Sequence, residues 1–158
     1  VLINQLICII HSDYIYMDLK PEQILYKKDK YILGDIGSIG KLYQHFKSGE
    51  RGGFIYNNLY LPPELINKNK YIDFDAAQKI NSYQIGILLL DYLLYGYNSN
   101  KSNIHALSKI LNSNSPHIKL NDKLNILNIN KYNKKLISMC LINDSKSRID
   151  LIQLLKIF

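Results

Sequence analysis

The architecture of this chain follows from one segment, Tyr16-Met17-Asp18-Leu19-Lys20-Pro21-Glu22-Gln23-Ile24-Leu25, and from a second, Asp35-Ile36-Gly37. The first segment places a carboxylate and an amine two residues apart, at Asp18 and Lys20. The second carboxylate, Asp35, follows the first by seventeen residues. This layout suits phosphoryl transfer from a metal-bound nucleotide, because one acid can orient the acceptor hydroxyl, the amine can meet the moving phosphate and the other acid can hold the metal.

The residues between the two acids predict a β-hairpin. Residues 24–26, Ile-Leu-Tyr, and 31–33, Tyr-Ile-Leu, are rich in β-forming side chains and flank the polar turn 27–30, Lys-Lys-Asp-Lys. Asp18 precedes the first strand and Asp35 follows the second. Both carboxylates are therefore expected near one edge of the hairpin, as a two-acid site requires.

Helical spacing of apolar residues predicts helices elsewhere in the chain. The first covers residues 2–10, and the most apolar one, expected to be the buried axis, covers 80–95 with Gly96 as its C-terminal cap. Further helices are predicted near 104–111, 132–141 and 149–157. Residues 38–61 are predicted to form a loop and 98–103 a linker, whereas 112–130 receives no assignment.

Composition indicates one globular domain. The chain has 158 residues, 47% of them hydrophobic, which suits a single core and argues against disorder. The net charge of +7 comes from scattered lysines without an arginine-rich or aromatic-interleaved stripe, which favours solvated surface over nucleic-acid binding. No apolar run is long enough to span a bilayer, and the apolar start lacks the features of a signal peptide. Cys8 and Cys140 lack metal-ligand spacing, so buried thiols in a reducing, cytoplasmic compartment are expected.

The two opening segments resemble the catalytic and metal-binding loops of eukaryotic protein kinases, which read His-Arg-Asp-Leu-Lys-Pro-Glu-Asn and Asp-Phe-Gly. Later landmarks follow in the family's order at residues 60–64, 79–86 and 141–148. The resemblance covers essentially the whole chain but only the large lobe of the family fold. It implies a mainly α, protein-kinase-like large lobe, a helical bundle with one small β-hairpin bearing both loops. The N-terminal small lobe is expected to be absent, since no Gly-rich loop or strand lysine precedes the first helix. Residues 1–158 would then be a domain fragment with its activation segment at about 35–64.

The resemblance also implies roles for individual residues. Asp18 would orient the substrate hydroxyl and take its proton, and Lys20 would contact the transferring phosphate of ATP. Asp35 and Gln23 would bind Mg²⁺ and the nucleotide, and Leu25 would pack under the adenine ring. Lys20 followed by Pro21-Glu22 resembles the serine/threonine-directed branch, which implies a protein substrate with a Ser or Thr acceptor.

Outside the catalytic residues, the resemblance implies that Glu64 and Arg148 form a buried ion pair, which locks the activation segment to the helical core.

Several positions depart from the family pattern. Met17 replaces the arginine that receives a loop phosphate, so activation through that contact is not expected. Gln23 replaces a metal-binding asparagine and is one methylene longer. Asn81 replaces the central-helix aspartate that anchors the catalytic loop, and its hydrogen bond lacks charge assistance. Tyr16 and Ile36 replace histidine and phenylalanine.

Three other interpretations therefore stay open beside an active serine/threonine kinase. The first is a pseudokinase or scaffold with impaired transfer. The second is a chain that lacks half of the nucleotide cleft and binds a partner through exposed apolar surface. The third is a basic helical domain that binds nucleic acid. It accounts for none of the motifs and is the least favoured.

Overall fold

The computed structural model describes residues 1–47, 53–66, 70–95, 124–125 and 129–158. Its helices are α1 Leu2–His11, α2 Pro63–Ile66, α3 Phe74–Tyr95, α4 Lys131–Cys140 and α5 Leu151–Leu155. Its strands are β1 Tyr14–Tyr16, β2 Ile24–Lys27, β3 Lys30–Leu33, β4 Ile39–Lys41, β5 Gln44–His45 and β6 Tyr71–Ile72. Short 3₁₀ turns at Pro21–Gln23, Ile36–Ser38 and Asn58–Tyr60 connect them.

The predicted hairpin is confirmed. Strands β2 and β3 pair antiparallel from Ile24 opposite Leu33 to Lys27 opposite Lys30. The two turn residues, Lys28 and Asp29, have φ of 50° and 57°. Positive φ at both central residues is the type I′ geometry, whose twist matches that of the flanking strands. The loops that carry Asp18 and Asp35 therefore adjoin the two strand ends that lie side by side, opposite the turn.

The predicted fold class is wrong. The described residues carry three two-stranded antiparallel sheets, β1–β4, β2–β3 and β5–β6, instead of one hairpin on a helical bundle. Of these strands, β1 to β5 lie between residues 14 and 45, so the N-terminal region is β-rich in the manner of a small lobe, which the prediction held to be absent. The additional strands have two or three residues each, too few to show the alternation that identifies a strand in sequence.

Helix α3 is the buried axis, as predicted, although it begins at Phe74 and not at Ile80. The Asp73 carboxylate accepts a hydrogen bond of 2.8 Å from the backbone N–H of Ala76, which caps the additional turns. The stretch from Ile80 to Ile87 is buried on every face, as expected for a helix enclosed by other elements. Gly86 permits the close approach of α4, because a Cβ there would lie 2.6 Å from the Cβ of Cys140.

The other helices follow their predictions within a few residues. Helix α1 ends at His11, α4 is displaced by one residue, and α5 is shorter than predicted. Asp150 fixes the start of α5 through a capping box with Gln153. The predictions for Gly96, 98–103, 104–111 and most of 112–130 lie outside the described residues. In the part of the chain that the structure describes, no helix is long and apolar enough to cross a membrane.

Candidate active site

Asp18 lies in the loop between β1 and the 3₁₀ turn Pro21–Gln23, and only 4% of its surface is exposed. Its Oδ2 atom forms an ion pair with the Lys20 ammonium group. Its Oδ1 atom is buried and has no hydrogen-bond partner. An unpaired carboxylate oxygen is costly inside a protein, so this atom is poised to accept a hydrogen bond from a bound group.

Asp35 follows β3 and opens the 3₁₀ turn Ile36–Ser38. Its backbone has φ 47° and ψ 73°, a left-handed conformation that aspartate adopts more readily than most residues. Its Oδ2 atom accepts hydrogen bonds from Gln23 Nε2 at 3.3 Å and from Ser38 Oγ at 3.2 Å. Non-glycine residues held in this region cluster at functional sites. The role of Ser38 was not predicted, because a lone serine after Asp-Ile-Gly carries no signal of its own.

Backbone bonds connect the two acidic loops. The Met17 N–H donates to Ser38 O at 3.1 Å, and the Gly34 N–H donates to Gln23 O at 2.7 Å. The Tyr16 hydroxyl reaches across to Gly34 O at 2.7 Å. The loop of Asp18 is thereby tied on both sides to the loop of Asp35.

The pKa of Tyr16 is another sign that the acids are near each other. Burial is the main reason that this pKa lies well above its usual value, and the charges of Asp18 and Asp35 both raise it further. The Tyr16 hydroxyl is itself bonded to Gly34 O, directly before Asp35. The hydrogen bonds between the two loops and the ion pair of Asp18 with Lys20 bring Asp18, Lys20 and Asp35 into one cluster of neighbouring loop residues.

Gln23 and Leu25 border this cluster. A Cβ built on Gly34 would lie 3.4 Å from Gln23 Oε1 and 3.2 Å from Leu25 Cδ1, so both side chains cover the same glycine. The Leu25 side chain is 48% exposed and leaves an apolar surface beside the acids. Gln23 presents its amide nitrogen to Asp35, so a metal at Asp35 would meet the Gln23 oxygen only after the amide has rotated.

The oxygens present suit magnesium bound together with a nucleotide. Among the described residues, no three His, Cys, Asp or Glu side chains come together as a metal site. Magnesium is commonly held by one or two carboxylates plus substrate phosphates and water. The Asp35 carboxylate and a rotated Gln23 amide are compatible with that mode, whereas a cage made by the protein alone is not present in the described part.

Two amides of α3 hold the backbone just before Asp18. Asn81 Nδ2 donates to Tyr16 O and Gln84 Nε2 donates to Met17 O, each at 2.7 Å. Asn81 was expected to anchor this loop by accepting a hydrogen bond, but it donates one instead and its Oδ1 atom has no partner. The contact of Gln84 was not predicted. The available signal was its position three residues after Asn81, on the same face of the helix.

The predicted ion pair of Glu64 and Arg148 is confirmed. Arg148 Nη1 and Nη2 contact the two carboxylate oxygens at 2.7 and 2.9 Å, in a bidentate arrangement. The Arg148 side chain is fully buried, and its guanidinium lies 4.7 Å from the centre of the Tyr83 ring. Its other N–H groups donate to the backbone carbonyls of Ile142, Lys79 and Asn143.

An apolar cavity of about 400 Å³ lies between α1 and the loop that follows β3. Its lining includes Cys8, Tyr16, Gly34 and Ile36. The cysteine prediction is correct for Cys140, which is buried, but wrong for Cys8, which is exposed. The face of α1 that carries Cys8 borders this open cavity, and helical spacing alone could not reveal what covers that face.

Comparison with protein-family models matches residues 3–157 to the family described as protein kinase domain. No curated protein matches the chain.

Proposed function

Since the chain belongs to the protein kinase family, we propose that it transfers the γ-phosphoryl group of ATP to a serine or threonine hydroxyl of a protein substrate, with Mg²⁺ as cofactor. The observation that carries the proposal is the state of Asp18. Its carboxylate is buried, one oxygen is held by Lys20, and the other has no partner.

In this proposal, Asp18 acts on the acceptor. Its free oxygen accepts the hydrogen bond of the substrate hydroxyl, aligns that oxygen with the phosphorus and takes the proton as the new bond forms. A positioned base of this kind typically contributes about 10²–10⁴-fold to the rate.

Lys20 acts on the transferred group. Its side chain is 24% exposed, so its ammonium can leave the Asp18 oxygen and meet a phosphate that arrives from solvent. A fixed cation at that point stabilises the charge that develops on the phosphoryl oxygens. The exchange of partners also frees Asp18 Oδ2 when the nucleotide is in place.

Asp35 and Gln23 would hold magnesium, which, when bound, offsets the charge of the nucleotide phosphates. Asp35 is the principal ligand because its carboxylate is already oriented by Ser38. Leu25 would contact the adenine ring with its exposed apolar side chain. The activation segment covers about residues 35–64, and Glu64 at its end is fixed by Arg148.

Lys20-Pro21-Glu22 supports the serine/threonine acceptor through its resemblance to that branch. A cytoplasmic location is supported by Cys8 and Cys140, which are both unpaired thiols.

The test is Asp18→Asn in the full-length protein, measured by transfer of labelled phosphate to a generic protein substrate and by phosphoamino-acid analysis. Transfer should fall by about 10²–10⁴-fold, and the wild-type product should contain phosphoserine or phosphothreonine. Asp29→Asn is the matched control, because Asp29 lies in the exposed hairpin turn, where its carboxylate accepts a hydrogen bond from the Tyr26 hydroxyl. Unchanged transfer in Asp18→Asn would refute the role of Asp18, and phosphotyrosine as the sole product would refute the acceptor class.

A second candidate function is a pseudokinase that binds nucleotide without transferring phosphate. Gln23 favours it, because its side chain is one methylene longer than the asparagine of the family pattern and its amide must rotate before the oxygen faces Asp35. A misplacement near 1 Å can cost on the order of 100-fold in rate. Thermal stabilisation by ATP with magnesium, combined with no transfer, would select this function over the first.

A further inference from the structure

We infer that Asn81 and Gln84 position Asp18 by donating hydrogen bonds to the two backbone carbonyls before it, those of Tyr16 and Met17. We call this pair of neutral side chains the amide clamp. Gln84 is thereby assigned as a positioning residue of the site. The functional part of this inference rests on the proposed phosphoryl transfer, whereas the clamp itself is a matter of hydrogen bonds and can be tested separately.

The clamp consists of three hydrogen bonds between fully buried groups. Asn81 and Gln84 are both 0% exposed. Asn81 Nδ2 donates to Tyr16 O at 2.7 Å, and Gln84 Nε2 donates to Met17 O at 2.7 Å. The second N–H of Asn81 donates to Gln84 Oε1, also at 2.7 Å, which joins the two side chains.

The orientation of both amides is determined by their partners. A carbonyl oxygen only accepts hydrogen bonds, so each amide must turn its nitrogen toward the loop. Gln84 Oε1 then faces Asn81 and accepts its remaining N–H. Rotating either amide by 180° would place oxygen against oxygen in a buried site, so the observed orientation is favoured even though Asn81 Oδ1 has no partner.

The clamp restrains Asp18 relative to Asp35. The carbonyls of residues 16 and 17 are tied to α3, the buried axis of the molecule. On the opposite side, the Met17 N–H is bonded to Ser38 O, and the Ser38 hydroxyl is bonded to Asp35. The peptide before Asp18 is thus held from two directions, which leaves its carboxylate little freedom to move.

A carboxylate cannot replace either amide in this arrangement. At position 81 it would face Tyr16 O and Gln84 Oε1, and at position 84 it would face Met17 O. Each would bring two acceptors together and bury an uncompensated charge. Asn81→Asp, which restores the residue of the family pattern, is accordingly expected to impair this protein.

The experiment compares Gln84→Met, Gln84→Glu and Asn81→Asp with the control Gln78→Met in the full-length protein. Methionine is similar in length to glutamine but donates no hydrogen bond. Gln78 is a matched control, because it is on the same helix, is 6% exposed and has an unpartnered Oε1. Among the described residues, the backbone of residues 16 and 17 is bonded to Asn81 and Gln84 and not to Gln78.

The first measurement is amide hydrogen exchange at residues 17–19, with the β2–β3 hairpin as internal reference. Each clamp variant should speed exchange at these amides by about tenfold relative to the hairpin, because one buried hydrogen bond to the loop is lost. Gln78→Met should leave the ratio unchanged. Should Gln84→Met fail to fold, Gln84→Asn withdraws the amide by one methylene and is expected to change the ratio in the same direction.

The second measurement is the kinetics of phosphoryl transfer. Clamp variants should lower kcat by about 10- to 100-fold and leave the KM for ATP within about threefold, since the loop is displaced but the nucleotide surface is not. Exchange at residues 17–19 equal to that of Gln78→Met, or faster transfer in Asn81→Asp, would overturn the inference. If the wild-type protein transfers no phosphate, the proposed function fails, whereas the exchange ratios still decide whether the clamp exists.

Discussion

Two ion pairs of the molecule, Arg148 with Glu64 and Lys20 with Asp18, differ in how completely their hydrogen-bonding capacity is used. Arg148 donates five hydrogen bonds, two to Glu64 and three to backbone carbonyls. A guanidinium has five N–H donors, so none is left over. The pair of Asp18 and Lys20 is different, because one buried oxygen of Asp18 has no partner.

Under the proposed function, this difference separates a structural pair from a pair that takes part in the reaction. A buried charged group whose hydrogen bonds are all made has none left for a ligand, and its removal leaves the groups around it without a partner. An unsaturated buried charge lowers stability where it stands but is available to a substrate. We therefore expect substitutions at the first pair to appear mainly in stability, and substitutions at the second to appear mainly in rate.

The largest effect on stability is expected from Arg148→Ala. It should lower the free energy of unfolding by about 3–5 kcal/mol, because the Glu64 carboxylate and three carbonyls lose their donor. Denaturant unfolding of the full-length protein measures the loss. Arg148→Lys should recover only part of it, because an ammonium cannot reproduce the bidentate contact. A loss below about 1 kcal/mol in Arg148→Ala would contradict the structural role of this pair.

An intermediate effect on stability is expected from Tyr16→Phe. It removes the hydrogen bond from the Tyr16 hydroxyl to Gly34 O and should lower the free energy of unfolding by about 1–2 kcal/mol. Tyr14→Phe is the control, because Tyr14 lies on the same strand but is exposed.

The same variant tests the pH dependence of stability. The pKa of Tyr16 is raised in the folded state, chiefly by burial. A raised pKa means that the folded state retains the proton longer, so this contribution is complete below about pH 10 and is lost as the pH rises above it. Tyr16→Phe should therefore flatten the alkaline decline of stability, although Tyr60 and Tyr83, whose pKa values are also raised by burial, maintain part of it. An unchanged alkaline slope would show that Tyr16 is not buried in its neutral form.

The sequence predicted the hairpin, the axis helix and the ion pair of Glu64 and Arg148. Hairpin and helix follow from local patterns that repeat over several residues. The ion pair came from a resemblance of motifs, and its geometry is what a guanidinium and a carboxylate produce when they meet in a core.

The strand pairs β1–β4 and β5–β6 and the role of Gln84 were not predicted, for physical reasons. His45 pairs with Tyr71 across 26 residues, and neither strand is long enough to show a period. Gln84 donates to the backbone carbonyl of Met17, and a sequence does not show which backbone groups lie near a given side chain. The start of α3 was missed because apolar spacing begins after the turn that Asp73 caps. For the short strands and for Gln84, the residue that determines the structure is distant in the sequence.

The smallest effect on stability is expected from Asp18→Asn, the variant with the largest expected effect on rate. Neutralising this side chain removes its attraction to Lys20, but it also removes a buried charge with an unpaired oxygen, and the two changes oppose each other. The free energy of unfolding should therefore change by less than about 1 kcal/mol, in either direction. Lys20→Met is the informative partner variant, because it leaves the Asp18 carboxylate buried without any cation and should cost more than Asp18→Asn. If Asp18→Asn instead destabilised the fold as strongly as Arg148→Ala, both ion pairs would be structural, and the unpaired oxygen of Asp18 would no longer mark a site of chemistry.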